Sequence, residues 1–232
     1  MTKDSNTDPP GSQDFRPAAV CYTAPLMGLY ASHIFPRLMD YVMRGEKFQR
    51  LRRELLQQVS GEVLEIGIGT GLNLAHYGPN VVRVRAVDPA TILSARVRER
   101  RATVQFPVEI THQRAEQLPY QDQIFDTVVS TWTLCTIPDP TLALREVRRV
   151  LKPEGRLLFL EHGRSKDQKI AVWQDRLNPM QNVIGCGCNL NRQIDRMISQ
   201  SGLTITHLDR FSMQGVPRLA GEMYQGTAVA QR

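Results

Sequence analysis

A short apolar strand that ends in three closely spaced glycines is the feature that most constrains this chain. Val63–Ile66 reads as a strand with an acid at Glu65, and Gly67, Gly69 and Gly71 follow it at once. Glycine lacks a Cβ, so the chain can turn sharply there and bring its backbone against a ligand. Dinucleotide-binding loops use the spacing G-x-G-x-x-G, with the pyrophosphate on a helix N-terminus. Here the third glycine comes one residue early and an acid precedes the first, which favours a ligand with a cationic amino-acid end and no pyrophosphate.

A second predicted strand also ends in an acid. Val82–Val87 alternates apolar and charged residues and then meets Asp88 and Pro89. A carboxylate at the C-terminal end of a second strand can bind both ribose hydroxyls of a nucleoside, whereas an isolated Asp before Pro is typical of a turn. Beside the glycine loop, the ligand-binding interpretation is favoured. S-adenosylmethionine, a nucleoside that carries a cationic amino acid, fits both features, and the glycine spacing argues against a nicotinamide dehydrogenase.

Segments typical of strands alternate with segments typical of helices through the rest of the chain. The later predicted strands are Val82–Val87, Val108–His112, Asp126–Ser130 and Arg156–Glu161. The predicted helices are a short one after the glycine loop, ended by Gly78 and Pro79, and longer ones at 90–101, 140–151 and 191–201. Lys152–Gly155 reads as a turn that stops the helix at 140–151. This alternation predicts an α/β fold with a doubly wound, mostly parallel sheet. Because such sheets bind ligands at the carboxyl ends of their strands, we expect the segments after the strands to face one crevice.

The N-terminal quarter of the chain reads differently. Residues 1–16 are polar and rich in Asp, Pro and Gly, which predicts a disordered tail and no signal peptide. Residues 17–60 are predicted to form a helical lid, with two helices within 25–58, ahead of a main domain at 61–232. Residues 17–36 carry no formal charge but are interrupted by Pro and polar residues. An amphipathic segment that covers the active site or touches a membrane surface is therefore favoured over a spanning helix.

The chain is basic, with 29 Lys and Arg against 23 Asp and Glu and a formal net charge of +6. Its arginines, Arg52 among them, are scattered at spacings that suit the wet faces of helices, and no aromatic residues interleave with them. Solvated helix faces are therefore favoured over nucleic-acid binding, so we expect no nucleic-acid partner. Attraction to an anionic membrane surface stays open as an alternative.

Four cysteines, Cys21, Cys135, Cys186 and Cys188, do not make a disulfide framework in a chain of 232 residues. A reducing cytoplasm is therefore the expected location, with peripheral membrane contact as the alternative. Cys186 and Cys188 form a C-x-C pair, but no second Cys/His pair in the sequence completes a metal site. We accordingly expect no bound metal.

From Phe35 to the C-terminus, the chain resembles the seven-stranded S-adenosylmethionine-dependent methyltransferases. The motifs that carry this resemblance are VLEIGIGTG at 63–71, VDP at 87–89, AEQLPY at 115–120, FDTVV at 125–129 and LKPEG at 151–155. A narrower resemblance is to the branch that contains the animal methyltransferase-like thiol S-methyltransferases and many bacterial relatives. It is carried by TWTLC at 131–135, EHG at 161–163, WQ at 173–174 and GCNLNR at 187–192. The resemblance implies a seven-stranded sheet with an N-terminal helical lid.

The resemblance also implies a role for each matching position. The residues expected to hold the methionine end of S-adenosylmethionine are Glu65, Gly67, Ile68, Gly69, Thr70 and Gly71. Those expected around the nucleoside are Asp88 at the ribose, Pro89 beside the adenine, and Arg114, Ala115 and Glu116 at the adenine edge. Thr131 is expected near the sulfonium, while Asn73 either lines the pocket or serves as the first-turn residue of a helix.

Methyl transfer is an in-line displacement, so the protein must align the nucleophile and exclude water. A thiol acceptor must also become a thiolate. His162 follows the fifth strand and can titrate near neutral pH, which makes it the candidate base, although it can instead hold the strand end by hydrogen bonding. Cys135 is expected to be a small buried residue and not a methyl carrier. The candidate substrate contacts are Tyr30, Trp132, Trp173 and Arg192; Trp173 can instead be core, and Arg192 can cap local structure.

These observations together predict a methyltransferase that uses S-adenosylmethionine and acts on a small-molecule nucleophile, with a thiol favoured by the branch resemblance. The alternative acceptor is a lipid or quinone, which the uncharged segment 17–36 and the positive charge would suit. A non-catalytic protein that binds S-adenosylmethionine is the alternative from another class.

Overall fold

The structure is a computed structural model that describes residues 28–90 and 94–230. Its strands are β1 (Gly61–Ile66), β2 (Val81–Val87), β3 (Val108–Thr111), β4 (Phe125–Thr131), β5 (Leu151–His162), β6 (Leu203–Ser212) and β7 (Glu222–Ala230). They form one seven-stranded sheet in the order β3-β2-β1-β4-β5-β7-β6. The pairs among β1 to β5 are parallel, and β7 runs antiparallel between β5 and β6. The predicted α/β class and the doubly wound, mostly parallel sheet are confirmed.

Six α-helices accompany the sheet in the described part of the chain. They are α1 (Phe35–Met43), α2 (Glu46–Leu56), α3 (Ser94–Arg101), α4 (Pro140–Val150), α5 (Gln168–Ile184) and α6 (Ile194–Gln200). A π-helical turn, Tyr30–Ile34, runs directly into α1, and a 3₁₀ turn, Leu74–His76, follows the glycine loop. Among the described residues, no helix combines the length and the apolar character needed to span a membrane.

Different helices cover the two faces of the sheet. On one face, Leu64 and Ile66 of β1 belong to a buried cluster that includes residues of α4 and α6. On the other face, Val63 belongs to a cluster that includes Leu51 and other residues of α2. Successive strand residues point to opposite faces, so Glu65 lies on the same face of β1 as Val63, the face that α2 covers. The alternation within β1 therefore decides where its acid points.

The predicted boundaries agree with the structure to within a few residues, where their ends are described, except at two places. The segment Lys152–Gly155, predicted as a turn, is part of β5, which begins at Leu151 directly after α4. Leu151 pairs with Phe125 and Arg156 with Thr127, so the register shift between these pairs absorbs the additional residues, including a proline that cannot donate to the ladder. The helix predicted after the glycine loop is only the 3₁₀ turn Leu74–His76.

The described part of the predicted lid, residues 28–60, is helical through the π turn, α1 and α2. The tail predicted at residues 1–16 and the beginning of the lid, residues 17–27, lie outside the described residues. The uncharged segment is therefore described only from residue 28 onward.

Candidate active site

One cavity of about 580 Å³ opens at the carboxyl ends of β1, β2, β4 and β5, as the sheet topology predicts. Its walls come from the glycine loop, from the segments after β2, β3 and β4, from the end of β5, and from α1. The π turn, α2, α5 and residues 185–188 supply the remaining walls. Most of the residues predicted to bind the cofactor line this cavity, namely Glu65, Gly67, Ile68, Gly69, Thr70, Asn73, Asp88, Pro89, Arg114, Ala115, Glu116 and Thr131.

The glycine loop has a backbone that only glycine adopts easily. Gly67, Gly69 and Gly71 all have positive φ, at 73°, 53° and 79°. A Cβ on Gly67 would lie 2.4 Å from the Thr133 side chain, so this glycine is required by a close approach inside the protein. A Cβ on Gly69 would meet nothing within 4 Å and would project into open space. The missing side chain at Gly69 thus leaves room that a ligand can fill. Gly71 does not line the cavity, and its positive φ serves the turn of the loop.

Glu65 is the centre of a buried hydrogen-bond network on the α2 face of the sheet. Its Oε1 accepts a hydrogen bond of 2.8 Å from Asn73 Nδ2, and its Oε2 accepts one of 2.8 Å from the Tyr77 hydroxyl. Asn73 Nδ2 also donates to Thr131 Oγ1 at 3.0 Å, and Asn73 Oδ1 accepts from Arg52 Nε at 3.0 Å. Asn73 is therefore a connecting residue of the site, and its side chain makes no cap of the 3₁₀ turn.

Burial raises the pKa of Glu65 to about 7, against the opposing effect of its hydrogen bonds from Tyr77 and Asn73 and of the charge on Arg52. A buried carboxylate with this pKa is stabilised when a cationic group comes next to it. The α-ammonium group of S-adenosylmethionine would supply that charge. The acid in the cavity wall and the open space at Gly69 together fit the amino-acid end of this cofactor.

Asp88 directly follows β2, and two backbone N–H groups hold its carboxylate in position. Its Oδ2 accepts from the Gly69 backbone N–H at 2.8 Å and its Oδ1 from Ala90 N–H at 2.9 Å. Burial raises the pKa of Asp88, and these two backbone donors lower it in part. The hydrogen bond to Gly69 fixes the carboxylate against the glycine loop. This position fits the predicted contact with the ribose.

Arg52 and Trp132 form a stacked pair at the cavity wall. The Arg52 guanidinium lies 4.6 Å from the centre of the Trp132 ring. Phe48 packs edge-on against the same ring, with 5.7 Å between the two ring centres. Arg52 also donates to the Met43 carbonyl at 2.9 Å, and burial lowers its pKa to about 10. Trp132 has a φ of 50°, an uncommon backbone conformation for a bulky residue and one that clusters at functional sites. Trp132 thus lines the cavity and is held by residues of α2, and its predicted contact with the substrate stays a prediction.

Asp40 attaches the lid to the main domain. It is buried and contacts three arginines, with Arg100 Nη1 at 2.9 Å from Oδ1 and with Arg96 and Arg44 at Oδ2. Burial raises the pKa of Asp40, but the hydrogen bond and charge of Arg100 outweigh it and lower the pKa overall. Arg100 also donates to the Thr70 carbonyl at 2.6 Å. One arginine of α3 therefore connects α1 to the glycine loop.

A cluster of two thiols and one imidazole lines the cavity wall formed by the ends of β4 and β5. His162 Nε2 lies 3.0 Å from Cys188 Sγ, and Cys188 Sγ lies 3.9 Å from Cys135 Sγ. All three residues line the cavity, while His162 Nδ1 is buried and has no hydrogen-bond partner among the described residues. Cys135 is buried, as predicted, but it is also part of this polar cluster.

The three groups of this cluster influence one another's protonation. Burial disfavours a charged imidazole, but the charge of Cys135 and its hydrogen bond outweigh this effect, so the pKa of His162 is raised. The S–H of Cys188 donates to Cys135, which holds the pKa of Cys135 well below its usual range and raises that of Cys188. The cluster favours a negative charge on Cys135 beside a positive His162.

Glu161 braces the loop after β4 and does not face the cavity. Its Oε1 accepts from Ser130 Oγ at 2.6 Å and from Thr133 N–H at 3.1 Å. Because consecutive residues of β5 point to opposite faces, Glu161 lies on the side away from His162. It fixes the backbone next to Thr131 and Trp132.

Three of the four residues predicted as substrate contacts do not line the cavity. Trp173 is 53% exposed, because the inward face of α5 is the row that contains Gln174, Asn178 and Asn182, and Trp173 is one position away from it. Tyr30 donates from its hydroxyl to the Ile184 carbonyl at 2.8 Å and so connects the π turn to α5.

Arg192 also has a structural role in place of the predicted contact with an anionic substrate group. It donates to the carbonyls of Leu134 and Ile137, the latter at 2.7 Å, and burial lowers its pKa. These hydrogen bonds hold the segment that carries Cys135. The capping alternative stated for Arg192 therefore agrees with the structure.

Arg52 and Asp40 are site residues that the sequence interpretation missed. Arg52 was predicted on a solvated helix face, but it is only 4% exposed. The sequence did contain a signal for this burial. Arg52 follows Phe48 by four residues, so it falls on the same face of α2 as the apolar residues. Asp40 had no sequence signal as a site residue, since the two partners that join it to the main domain, Arg96 and Arg100, are about 60 residues away along the chain. The approach of Cys188 to His162 likewise depends on the tertiary fold.

Comparison with known proteins identifies the domain that carries this cavity. The family model described as a methyltransferase domain matches residues 64–159, which span β1 through most of β5. The thiol S-methyltransferase TMT1B of Rattus norvegicus is 33% identical over 190 residues, covering 75% of this chain and 77% of the relative. The phosphatidylethanolamine N-methyltransferase of Cereibacter sphaeroides is 32% identical over 127 residues, covering 54% of this chain and 62% of the relative.

A solved structure supports the fold. The N-methyltransferase NodS of Bradyrhizobium japonicum WM9, in complex with S-adenosyl-L-homocysteine, superposes with a TM-score of 0.63 at 15% identity, covering 88% of this chain and 96% of that chain. The protein is an enzyme whose methyl donor is S-adenosylmethionine. The chain belongs to the family of S-adenosylmethionine-dependent methyltransferases that includes the thiol S-methyltransferases.

Proposed function

We propose that the methyl acceptor of this enzyme is a small thiol. The observation that carries the proposal is that one cavity holds both the cofactor-binding residues and the Cys135–His162–Cys188 cluster. A thiol is a weak nucleophile until it loses its proton, so its methylation needs a site that promotes the thiolate. The cluster offers such a site next to the cofactor, and the rat relative named as a thiol S-methyltransferase supports the same acceptor class.

The residues of the cavity divide into a donor end and an acceptor end. At the donor end, Glu65 and the glycine loop would hold the amino-acid part of the cofactor, and Asp88 would hold its ribose. Bound S-adenosylmethionine supplies a methyl group on a positively charged sulfur. Thr131, the last residue of β4, lines the cavity and accepts from Asn73, which connects it to the Glu65 network.

The acceptor end is walled by apolar side chains of the lid and by the cluster. Phe35, Met39 and Met43 of α1 line the cavity, so an apolar thiol can be bound there and water displaced. The proton of an acceptor thiol would pass to the cluster, in which His162 is the base predicted from the sequence and Cys135 is the group on which a negative charge is favoured. Excluding water from this end strengthens the charge interactions that stabilise a thiolate.

The acceptor class is tested with a pair of compounds that differ in one atom. Purified enzyme is mixed with S-adenosylmethionine and either 4-chlorothiophenol or 4-chlorophenol, and the methylated product and S-adenosylhomocysteine are measured by mass spectrometry. We expect methylation of the thiol and none of the phenol. A small aliphatic thiol and its alcohol analogue provide a second pair of the same design.

Two tryptophan variants provide matched controls for this assay. Trp132→Ala removes a wall of the cavity and is expected to lower turnover of the thiol. Trp173→Ala removes an exposed ring outside the cavity and is expected to leave turnover unchanged. Methylation of the phenol but not the thiol, or equal losses in both variants, would contradict the proposed acceptor and its place.

A lipid or quinone acceptor is the second candidate, because α1 is apolar on two sides. Its Phe35 and Met39 line the cavity, while Leu38, Tyr41 and Val42 are exposed. A helix of this kind can lie on a membrane and admit a lipid-like acceptor, which would place the enzyme at a membrane surface in the cytoplasm. The relative named as a phosphatidylethanolamine N-methyltransferase supports this acceptor class.

Vesicle sedimentation tests the membrane contact. The enzyme is mixed with vesicles of phosphatidylcholine alone or with added phosphatidylglycerol. The second candidate predicts binding that is weakened in Leu38→Ser and unchanged in Leu142→Ser, a control in α4 with a similarly exposed leucine. Absence of binding to both vesicle types would remove this candidate and leave the small thiol.

A further inference from the structure

The two thiols and the imidazole at the acceptor end form a compact set of metal-ligating atoms. The ligand atoms of Cys135, His162 and Cys188 all lie within 4.8 Å of one another, and no ion is present in the structure. The sequence did not indicate this set, because its members come from the segment after β4, the end of β5 and the loop before α6. Cys188 finds its partners across the fold and not in the neighbouring Cys186.

The backbone around these three residues holds the cluster in place. The Asn189 N–H and its side-chain Nδ2 both donate to the Cys135 carbonyl at 3.0 Å, so the two cysteine-bearing segments are joined directly. Asn182 Nδ2 donates to the Gly187 carbonyl at 3.0 Å and steadies the tight loop before Cys188. A metal site needs ligands that are held in position, and these backbone hydrogen bonds hold the two cysteines in position.

The geometry and the donor atoms suit one metal in particular. In a tetrahedral zinc site, with Zn–S of about 2.3 Å, two sulfur ligands lie about 3.8 Å apart. The observed separation of the Cys135 and Cys188 sulfurs is 3.9 Å. The His162 nitrogen lies 3.0 Å from Cys188 Sγ, so it must move outward by about half an ångström to make room for the ion. Two thiolates and one imidazole form a ligand set typical of catalytic zinc sites.

We propose that Cys135, His162 and Cys188 bind one Zn²⁺ ion, and that its fourth coordination position opens into the cavity and takes the sulfur of the acceptor thiol. This is the opposite of the absence of metal expected from the sequence. Two protons leave when the ion binds, one from Cys188 and one that Cys135 and His162 share, and both go to solvent. A site with three protein ligands leaves the remaining position for water or substrate, and all three of these ligands line the cavity.

The role of the fourth position rests on the proposed thiol acceptor, whereas binding of the metal does not. A thiol that coordinates zinc is deprotonated, with its proton released to solvent, so no side chain has to act as a base. This role replaces the general-base function predicted for His162, because a metal-bound Nε2 has no lone pair left to accept a proton.

Cobalt substitution tests the binding site. The full-length enzyme is kept reduced and free of oxygen, stripped of metal, and titrated with Co²⁺, which gives thiolate charge-transfer absorption and intense visible bands in a tetrahedral thiolate site. We expect saturation at one Co²⁺ per chain and loss of the signal when Zn²⁺ is added. A protein that stays colourless while its thiols remain reduced would overturn the proposal.

Single substitutions assign the ligands. Cys135→Ser, Cys188→Ser and His162→Ala are each expected to abolish or strongly shift the absorption, while the matched control Cys186→Ser keeps it. Folding of each variant is checked by its affinity for S-adenosylmethionine, since the Glu65 network does not include the cluster. Full absorption in both Cys135→Ser and Cys188→Ser would place the metal elsewhere and overturn the assignment.

Two further readouts separate this proposal from the proposed function. Addition of 4-chlorothiophenol to the Co²⁺ form is expected to shift the charge-transfer band, and 4-chlorophenol is not. If metal binds as described but no thiol is methylated, the zinc site stands and the thiol acceptor fails. If the metal-free enzyme methylates thiols at the full rate, the thiol acceptor stands and the role of the zinc fails.

Discussion

Asp40 in α1 and Arg100 in α3 form an ion pair with 2.9 Å between Oδ1 and Nη1, and the same arginine nitrogen donates to the Thr70 carbonyl. The lid is therefore attached to the loop that binds the cofactor, and not only packed over it. Any movement of α1 away from the cavity must break this contact. Opening of the lid would therefore remove one of the two groups that hold Arg100 beside the glycine loop.

Asp40→Asn should weaken this attachment. It removes a negative charge that contacts three arginines, so we expect the free energy of unfolding to fall by about 2 kcal/mol and the affinity for S-adenosylmethionine to fall several-fold. Calorimetric titration and chemical denaturation measure the two effects. Glu54→Gln, which breaks an exposed pair with Arg50, is the control and should change both quantities little. Equal effects of the two substitutions would show that the lid is held by other contacts.

Glu65 makes the stability of the ligand-free enzyme depend on pH. Burial raises its pKa to about 7 from the ordinary 4.5, against Tyr77, Asn73 and Arg52, with Asp88 adding to the rise. Between these two values the folded state holds a proton that the unfolded state has lost. This group therefore lowers the free energy of unfolding as pH rises from 4.5 to 7, by about 3 kcal/mol in total.

The measurement compares the wild type with Glu65→Gln by denaturant unfolding at pH 5 and pH 8. The variant should gain stability relative to the wild type at pH 8, and the difference should be smaller at pH 5. Cofactor binding should have the opposite dependence, because a cationic ligand favours the ionised carboxylate: wild-type affinity should rise as pH increases through 7 and that of Glu65→Gln should not. A pH-independent difference in stability would mean that Glu65 is already ionised at pH 5.

The stacking of Arg52 on Trp132 predicts that Arg52→Lys is not a conservative change. Lysine loses the planar group that lies on the ring and the hydrogen bond from Nε to Asn73, so we expect about a tenfold loss of cofactor affinity. The chain has two tryptophans, and Trp173→Phe leaves Trp132 as the sole reporter for a fluorescence titration. Arg53→Lys in the same helix is the matched control, since Arg53 is half exposed. An equal loss in both variants would argue against a specific role for the stacked pair.

The sequence was informative wherever a local pattern determines the structure. The strand alternation around Glu65, the glycine spacing and the position of Asp88 placed the donor end of the cavity, because each depends on a few adjacent residues. The sequence left two interpretations open for Trp173 and Arg192, since the helical phase and the carbonyls that need a donor are properties of the packed molecule. The meeting of Cys135, His162 and Cys188 depends on three separate loops, and no spacing along the chain encodes it.

Gly67 and Gly69 offer a test that separates the fold from the ligand. Both have positive φ, so an alanine at either position carries a similar backbone strain of about 1 kcal/mol. At Gly67 the new Cβ would also lie 2.4 Å from Thr133, whereas at Gly69 it would project into open space. Gly67→Ala should therefore lose about 3 kcal/mol or more of unfolding free energy.

Gly69→Ala should lose only the free energy of the backbone strain. It should nevertheless bind S-adenosylmethionine more than tenfold more weakly, because its methyl group occupies the room assigned to the cofactor. Thermal unfolding and calorimetric titration of the two variants check this. A Gly69→Ala enzyme with wild-type affinity would show that the cofactor does not approach the loop at this point.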